Sequence, residues 1–196
     1  GGNFTNKKAE LFLGNAGTAF RSLTAMLALS DGNYTLKGVE RMHQRPILDL
    51  LEPLQKLGAT ISELQNKGFP PLQILPFQFD ENCNQINVNA NISSQYLSAL
   101  LMAIPSIKSQ ANQKIRLNIV GTLISSPYIA MTLNLLAKFN IAINTNFFHE
   151  KANIFFEIPL NQQFIYANQK EFFVESDASS ASYFLAMGAI TKNPEG

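Results

Sequence analysis

The chain has 196 residues, 46% of them apolar and 15% charged, with a formal net charge of +1. That length suits one large domain or two small ones, and the apolar content excludes disorder as the bulk description. The near-zero charge gives no basic surface for nucleic acid, and one cysteine, Cys83, with two histidines supports neither a disulfide scaffold nor a Cys/His zinc site.

No apolar run approaches the ~18 residues of a membrane span, and the opening residues Gly1 to Lys8 carry no signal-peptide apolar region. These absences lead us to expect a soluble, cytoplasmic protein.

In chain order, the first apolar helix is entered through Asn15-Ala16-Gly17-Thr18 and carries a single charge, Arg21. Two near copies follow, one opening at Asn91-Ile92-Ser93-Ser94-Gln95 and one at Asp177-Ala178-Ser179-Ser180. Polar residues ahead of an apolar run are helix caps. The helices behind them have no polar face, which predicts that they are buried. A second helix follows in the first two copies: Ile47 to Leu57, led by Pro46 and stopped at Gly58, and Ile129 to Phe139, led by Pro127 and stopped at Asn140. Pro53 inside the former predicts a kink or a late start.

Strands are predicted at 34–37, 60–64, 72–75, 85–88, 114–119, 141–144, 154–158 and 171–175, with the clearest alternation in Ile115-Arg116-Leu117-Asn118-Ile119. Little structure is expected before Leu11. The pattern asks for helices inside and sheets outside, in an α/β fold of repeated units. Both ends look cut, with a third unit opened near Phe184 and not completed.

Several helix entrances rich in Gly, Ser and Thr offer unpaired N–H groups and a partial positive charge, worth ~0.3–1 kcal/mol to an anion. Two readings of those residues stay open: N-caps only, or a converging anion-binding rim. Arg45, held extended by Pro46, is either a solvated surface residue or a bidentate grip on carboxylate or phosphate. Arg41 could assist it. Arg21, in an apolar helix, requires a partner, either an internal carboxylate or a bound anion. His43 and His149 read as surface residues, Cys83 as inert and Asp177 as an N-cap.

The segments Leu11 to Arg21, Arg41 to Ile47, Ser93 to Leu97, Ser125 to Ile129 and Asp177 to Tyr183 together resemble the signatures of the 5-enolpyruvylshikimate-3-phosphate synthases, in family order and over nearly the whole chain. The resemblance implies an inside-out fold of βαβαββ units in two domains with a cleft between. It implies an enzyme, 3-phosphoshikimate 1-carboxyvinyltransferase, that moves the carboxyvinyl group of phosphoenolpyruvate to the 5-hydroxyl of shikimate 3-phosphate. No metal or other cofactor is implied, nor a nucleic-acid or membrane partner, and the parent enzyme would be monomeric.

By motif, Ser93, Ser94, Gln95, Ser125 and Tyr128 would bind shikimate 3-phosphate, while Gly17, Arg45 and Gln95 would bind phosphoenolpyruvate. No residue is implied as catalytic. Ser22, Ser126 and Ala130 depart from the family's common Pro, Lys and Asp. On this reading residues 1–175 are an incomplete substrate-binding domain and 176–196 the start of the second. The fragment alone would be inactive. A non-catalytic anion-binding module with the same repeat is the alternative.

Overall fold

The structure is a computed structural model, and it describes residues 4–89, 93–109, 113–166 and 171–191. Asn91 and Ile92, in the second predicted helix entrance, lie outside the described residues.

The first unit runs β1 (Lys8–Phe12), α1 (Gly17–Ala28), β2 (Asn33–Lys37), α2 (Glu40–His43), α3 (Leu48–Lys56), β3 (Ile61–Glu63) and β4 (Leu72–Ile74). The second runs β5 (Gln85–Asn89), α4 (Ser94–Ala103), a 3₁₀ turn at Ile104–Ser106, β6 (Lys114–Val120), α5 (Ser126–Lys138), β7 (Asn144–Thr145) and β8 (Phe155–Pro159). A last helix, α6, spans Ala178–Ile190. Leaving the short α2 and the 3₁₀ turn aside, each unit reads βαβαββ, as expected.

The two sheets repeat one topology, β1-β2-β4-β3 and β5-β6-β8-β7. In each, a parallel pair (β1 with β2, β5 with β6) is extended by an antiparallel hairpin. Alternation decides which face is covered: in β6, Ile115 and Leu117 are buried while Lys114 is exposed and Arg116 and Asn118 are half-exposed. The buried faces meet the helices. α4 lies at the centre, packed on α1, α3 and α5, with Leu97, Ala99, Leu100, Leu101 and Ala103 essentially inaccessible. Full burial of each Leu contributes about 1.5–3 kcal/mol, so this helix is the main apolar anchor.

Helix ends follow from sequence chemistry. Gly58 (φ 103°) and Asn140 (φ 60°) take the left-handed conformation just past α3 and α5. The following amides fold back, Ala59 N to Leu54 O and Ile141 N to Leu136 O, each at 3.0 Å. Both ends are therefore Schellman motifs. This corrects the predicted strand at 141–144: Ile141 closes α5, and pairing begins only at Asn144. Pro46 stands ahead of α3, whose N-cap is Ile47, and Pro53 is accommodated in the second turn of a helix that continues to Lys56.

Three further expectations are corrected. β1 exists where little structure was expected, paired to β2 from Lys8↔Asn33 to Phe12↔Lys37. The segment 171–175 is not a strand, because no sheet edge receives it. Finally, α6 is apolar all round yet has no buried residue. Among the described residues, no helix is long and apolar enough to cross a membrane.

Candidate functional site

In both sheets the parallel strands end side by side, Phe12 beside Lys37 and Asn89 beside Val120. The chain leaves those ends into α1, α2, α4 and α5, so the N-termini of these helices gather at the carboxyl ends of the parallel strands. First-turn N–H groups have no acceptor within their helix, which makes this end electropositive.

Side-chain contacts join the two units there. Gln95, on the first turn of α4, donates from Nε2 to Thr18 Oγ1 at 3.2 Å. Arg21 on α1 donates from Nη1 to Gln95 Oε1 at 2.5 Å and to Ser93 Oγ at 3.4 Å. Its guanidinium carbon stands 4.8 Å from the centre of the Tyr96 ring. Arg21 therefore has partners, but they are neutral. Among the described residues, no carboxylate pairs with Arg21, Arg41 or Arg45.

Arg45 is held beside α1 by donating from Nη1 to the Asn15 carbonyl at 3.3 Å. Gly17 faces it so closely that a β-carbon there would lie 2.4–2.6 Å from the guanidinium atoms. A side chain here would push the guanidinium aside, so glycine is what lets Arg45 pack against α1; no unusual φ is involved. Arg45, Arg41, Gln44 and Asn15 line an open cavity of about 360 Å³. A second small recess is lined by Gly17, Arg21, Arg45, Pro46, Ile47 and others. Gly38 keeps the loops after β1 and β2 together, since a β-carbon there would fall 2.4 Å from the Gly14 carbonyl oxygen.

Tyr96, assigned no role from the sequence, ties α4 to this loop by donating its hydroxyl to the Pro46 carbonyl at 2.6 Å. Burial pushes its phenol pKa up, keeping it a neutral donor. A buried Tyr in an apolar helix must find such a partner, and that was the available signal.

The motif residues thus fall into two groups. Gly17, Arg45, Ser93 and Gln95 share one contiguous set of contacts. Ser94, at the first position of α4, is buried at 8% exposure. Ser125 and Tyr128 sit at the same end of sheet β5-β6-β8-β7, exposed, with no side-chain hydrogen bond to that set among the described residues. Capping divides them too. Ser93 caps α4 by accepting from Gln95 N at 3.2 Å, and Asp177 caps α6 by accepting from Ser179 N at 2.9 Å. Ala16 and Ser125 make no side-chain cap. Ser125 instead holds a left-handed backbone, φ 58° and ψ 43°, uncommon for a residue with a side chain.

The remaining candidates make no part of that contact set. His43 accepts from the Gly38 amide at 3.3 Å, so it is a loop brace and not a free surface group. Burial raises the Cys83 thiol pKa, which suits an unreactive residue.

A family model described as "EPSP synthase (3-phosphoshikimate 1-carboxyvinyltransferase)" matches residues 1–195. The chain belongs to the EPSP synthase family. It is similar to the 3-phosphoshikimate 1-carboxyvinyltransferase of Cupriavidus necator, 52% identical over 194 residues, which cover 99% of this chain and 43% of that protein. The enzyme of the same name from Nitrosomonas europaea is 47% identical, over 98% of this chain and 42% of that one. The chain therefore spans less than half the length of these curated relatives. Among solved structures, EPSP synthase from Acinetobacter baumannii superposes with a TM-score of 0.65 at 24% identity, covering 94% of this chain and 37% of that one. This likeness supports the inside-out α/β fold.

Proposed function

We propose that this chain forms one wall of the cleft in an enzyme that transfers the carboxyvinyl group of phosphoenolpyruvate to the 5-hydroxyl of shikimate 3-phosphate, releasing phosphate by addition and then elimination. Ser93, Ser94 and Gln95 hold shikimate 3-phosphate, with Ser125 on its phosphate and Tyr128 beside it. Arg45, packed on Gly17, grips phosphoenolpyruvate, and Gln95 stands between the two substrates. Residues 1–175 form the substrate-binding domain and 176–196 begin the second. We assign the activity to the cytoplasm and to a parent enzyme that works as a monomer.

One observation carries this reading: the entrances of α1 and α4 are locked together by Gln95, Thr18 and Arg21, beside an Arg45 that no carboxylate pairs with among the described residues. Two phosphorylated substrates bring several negative charges. Unneutralised guanidinium groups and helix N-termini offset them, and a planar guanidinium matches a phosphate or carboxylate edge. This wall binds and orients; none of its residues is assigned a proton-transfer step.

Calorimetric titration of the 196-residue chain tests the assignment. Shikimate 3-phosphate is expected to bind without turnover in a phosphate-release assay. Arg45→Ala is expected to leave that binding within twofold while weakening phosphoenolpyruvate binding by about tenfold or more, the loss typical of a charge-assisted hydrogen bond. Absence of shikimate 3-phosphate binding, or equal losses for both ligands, overturns the assignment.

A further inference from the structure

Donor and acceptor arithmetic at the junction of α1 and α4 goes further than the substrate assignment. A guanidinium only donates, so the Gln95 atom that meets Arg21 at 2.5 Å is its carbonyl oxygen, and Nε2 is turned toward Thr18. One of the two Nε2 protons serves Thr18 and the other has no acceptor among the described residues. At Ser93, the hydroxyl oxygen accepts from the Gln95 backbone amide and from Arg21. With both lone pairs engaged, the Ser93 hydroxyl can only donate its own proton.

We propose that Arg21 is a positioning residue that sets the polarity of this junction: by occupying the acceptor sides of Gln95 and Ser93, it leaves an N–H and an O–H to face an incoming ligand oxygen. The inference rests on the substrate reading above, and it adds the reason an oxyanion is preferred there. Without Arg21 the carboxamide can flip and the serine hydroxyl can turn to accept, so the junction loses its selectivity for electron-rich oxygen. Arg21 is held for this task by the Tyr96 ring, and the Tyr96 hydroxyl is anchored on Pro46, next to Arg45. One arginine of the first unit thus organises polar groups of the second.

The test begins on the ligand-free 196-residue chain. The side-chain amide protons of Gln95 are followed by NMR, which reads their exchange with water. In the wild type the proton donated to Thr18 is expected to be resolved and protected, and the left-over proton to exchange freely. In Arg21→Gln, with the amide spectrum of the core unchanged, the carboxamide is free to turn and the protected proton exchanges about tenfold faster or more, as for a lost hydrogen bond to a charged group. Arg21→Lys keeps the charge with smaller disturbance and serves if the first variant does not fold. Its Nζ reaches one acceptor at a time, so protection falls between the other two. Unchanged Gln95 protons in a folded Arg21 variant overturn the proposal.

A second arm uses shikimate 3-phosphate. If Arg21 acts through Ser93, then Ser93→Ala weakens binding in the wild type but adds little in the Arg21→Gln background. Independent, multiplying losses overturn the proposal. Should the wild-type chain bind no shikimate 3-phosphate while the Gln95 protons respond to Arg21, the substrate assignment fails and the positioning role stands.

Discussion

Two helices of nearly the same sequence meet opposite fates in this molecule. α4, Ser94-Gln95-Tyr96-Leu97-Ser98-Ala99-Leu100-Leu101-Met102-Ala103, and α6, Ala178 to Ile190, are both apolar on every side and both begin behind a capping side chain. Yet Leu100 and Leu101 of α4 are fully buried, whereas Phe184, Leu185 and Ile190 of α6 are 74–80% exposed. The difference is one of neighbourhood: α4 has α1, α3 and α5 packed around it, and none of these helices covers α6, which has no buried residue. An all-apolar helix states that a cover is needed, but not which residues supply it.

The largest effect that separates the two helices is truncation of a core side chain. Leu100→Ala is expected to destabilise the fold by about 2–5 kcal/mol through lost transfer energy and a cavity. Leu185→Ala is expected to stay within ~0.5 kcal/mol, as surface substitutions do. Urea unfolding of both variants measures this, and equal losses would mean that α6 is covered in solution.

A smaller effect comes from the caps. Ser93→Ala should cost about 1 kcal/mol of global stability, since the cap supports a helix on which the core depends. Asp177→Ala should reduce helical signal at 178–182 and leave the urea midpoint in place. Residue-resolved carbon shifts together with unfolding curves distinguish the two outcomes.

The smallest effect is a pH response confined to α6. The Ser180 hydroxyl, followed by the Ser179 amide, donates to Asp177 and holds its carboxyl below the ordinary 3.8. A folded-state pKa below the unfolded one means the cap contributes fully above the unfolded value and is lost as pH falls through the depressed one. Helical shifts of α6 should therefore persist at pH 5 and fade only below about 3.8. α4, capped by a serine, should show no such response. Fading of both helices together would point to acid unfolding of the whole chain.

Much of the fold was legible because it rests on local chemistry. The alternation at Ile115 to Ile119 marks a half-covered strand, and Gly58 and Asn140 mark helix ends, since each backbone conformation depends on few neighbours. β1 escaped notice because Lys8-Ala9-Glu10-Leu11-Phe12 is an edge strand with no fully buried residue. The segment Glu171-Phe172-Phe173-Val174-Glu175 has strong strand propensity and no partner edge, so propensity alone misled there. At the site, Gly17, Arg45, Ser93 and Gln95 were legible from motif. The partners of Arg21 were not, because they lie 72 and 74 residues away.

What the amino-acid order determined by itself is the repeating unit: where helices start and stop, which strand faces turn inward, and which residue types could meet an anion. These are set by backbone sterics and side-chain periodicity within a few residues. Tertiary structure alone decided that α4 would be enclosed and α6 left uncovered, that β1 would find β2, and that an apparently unpaired Arg21 would rest on Gln95, Ser93 and Tyr96. Those outcomes depend on contacts between distant parts of the chain, whose energies are comparable with local preferences but whose partners no local pattern names.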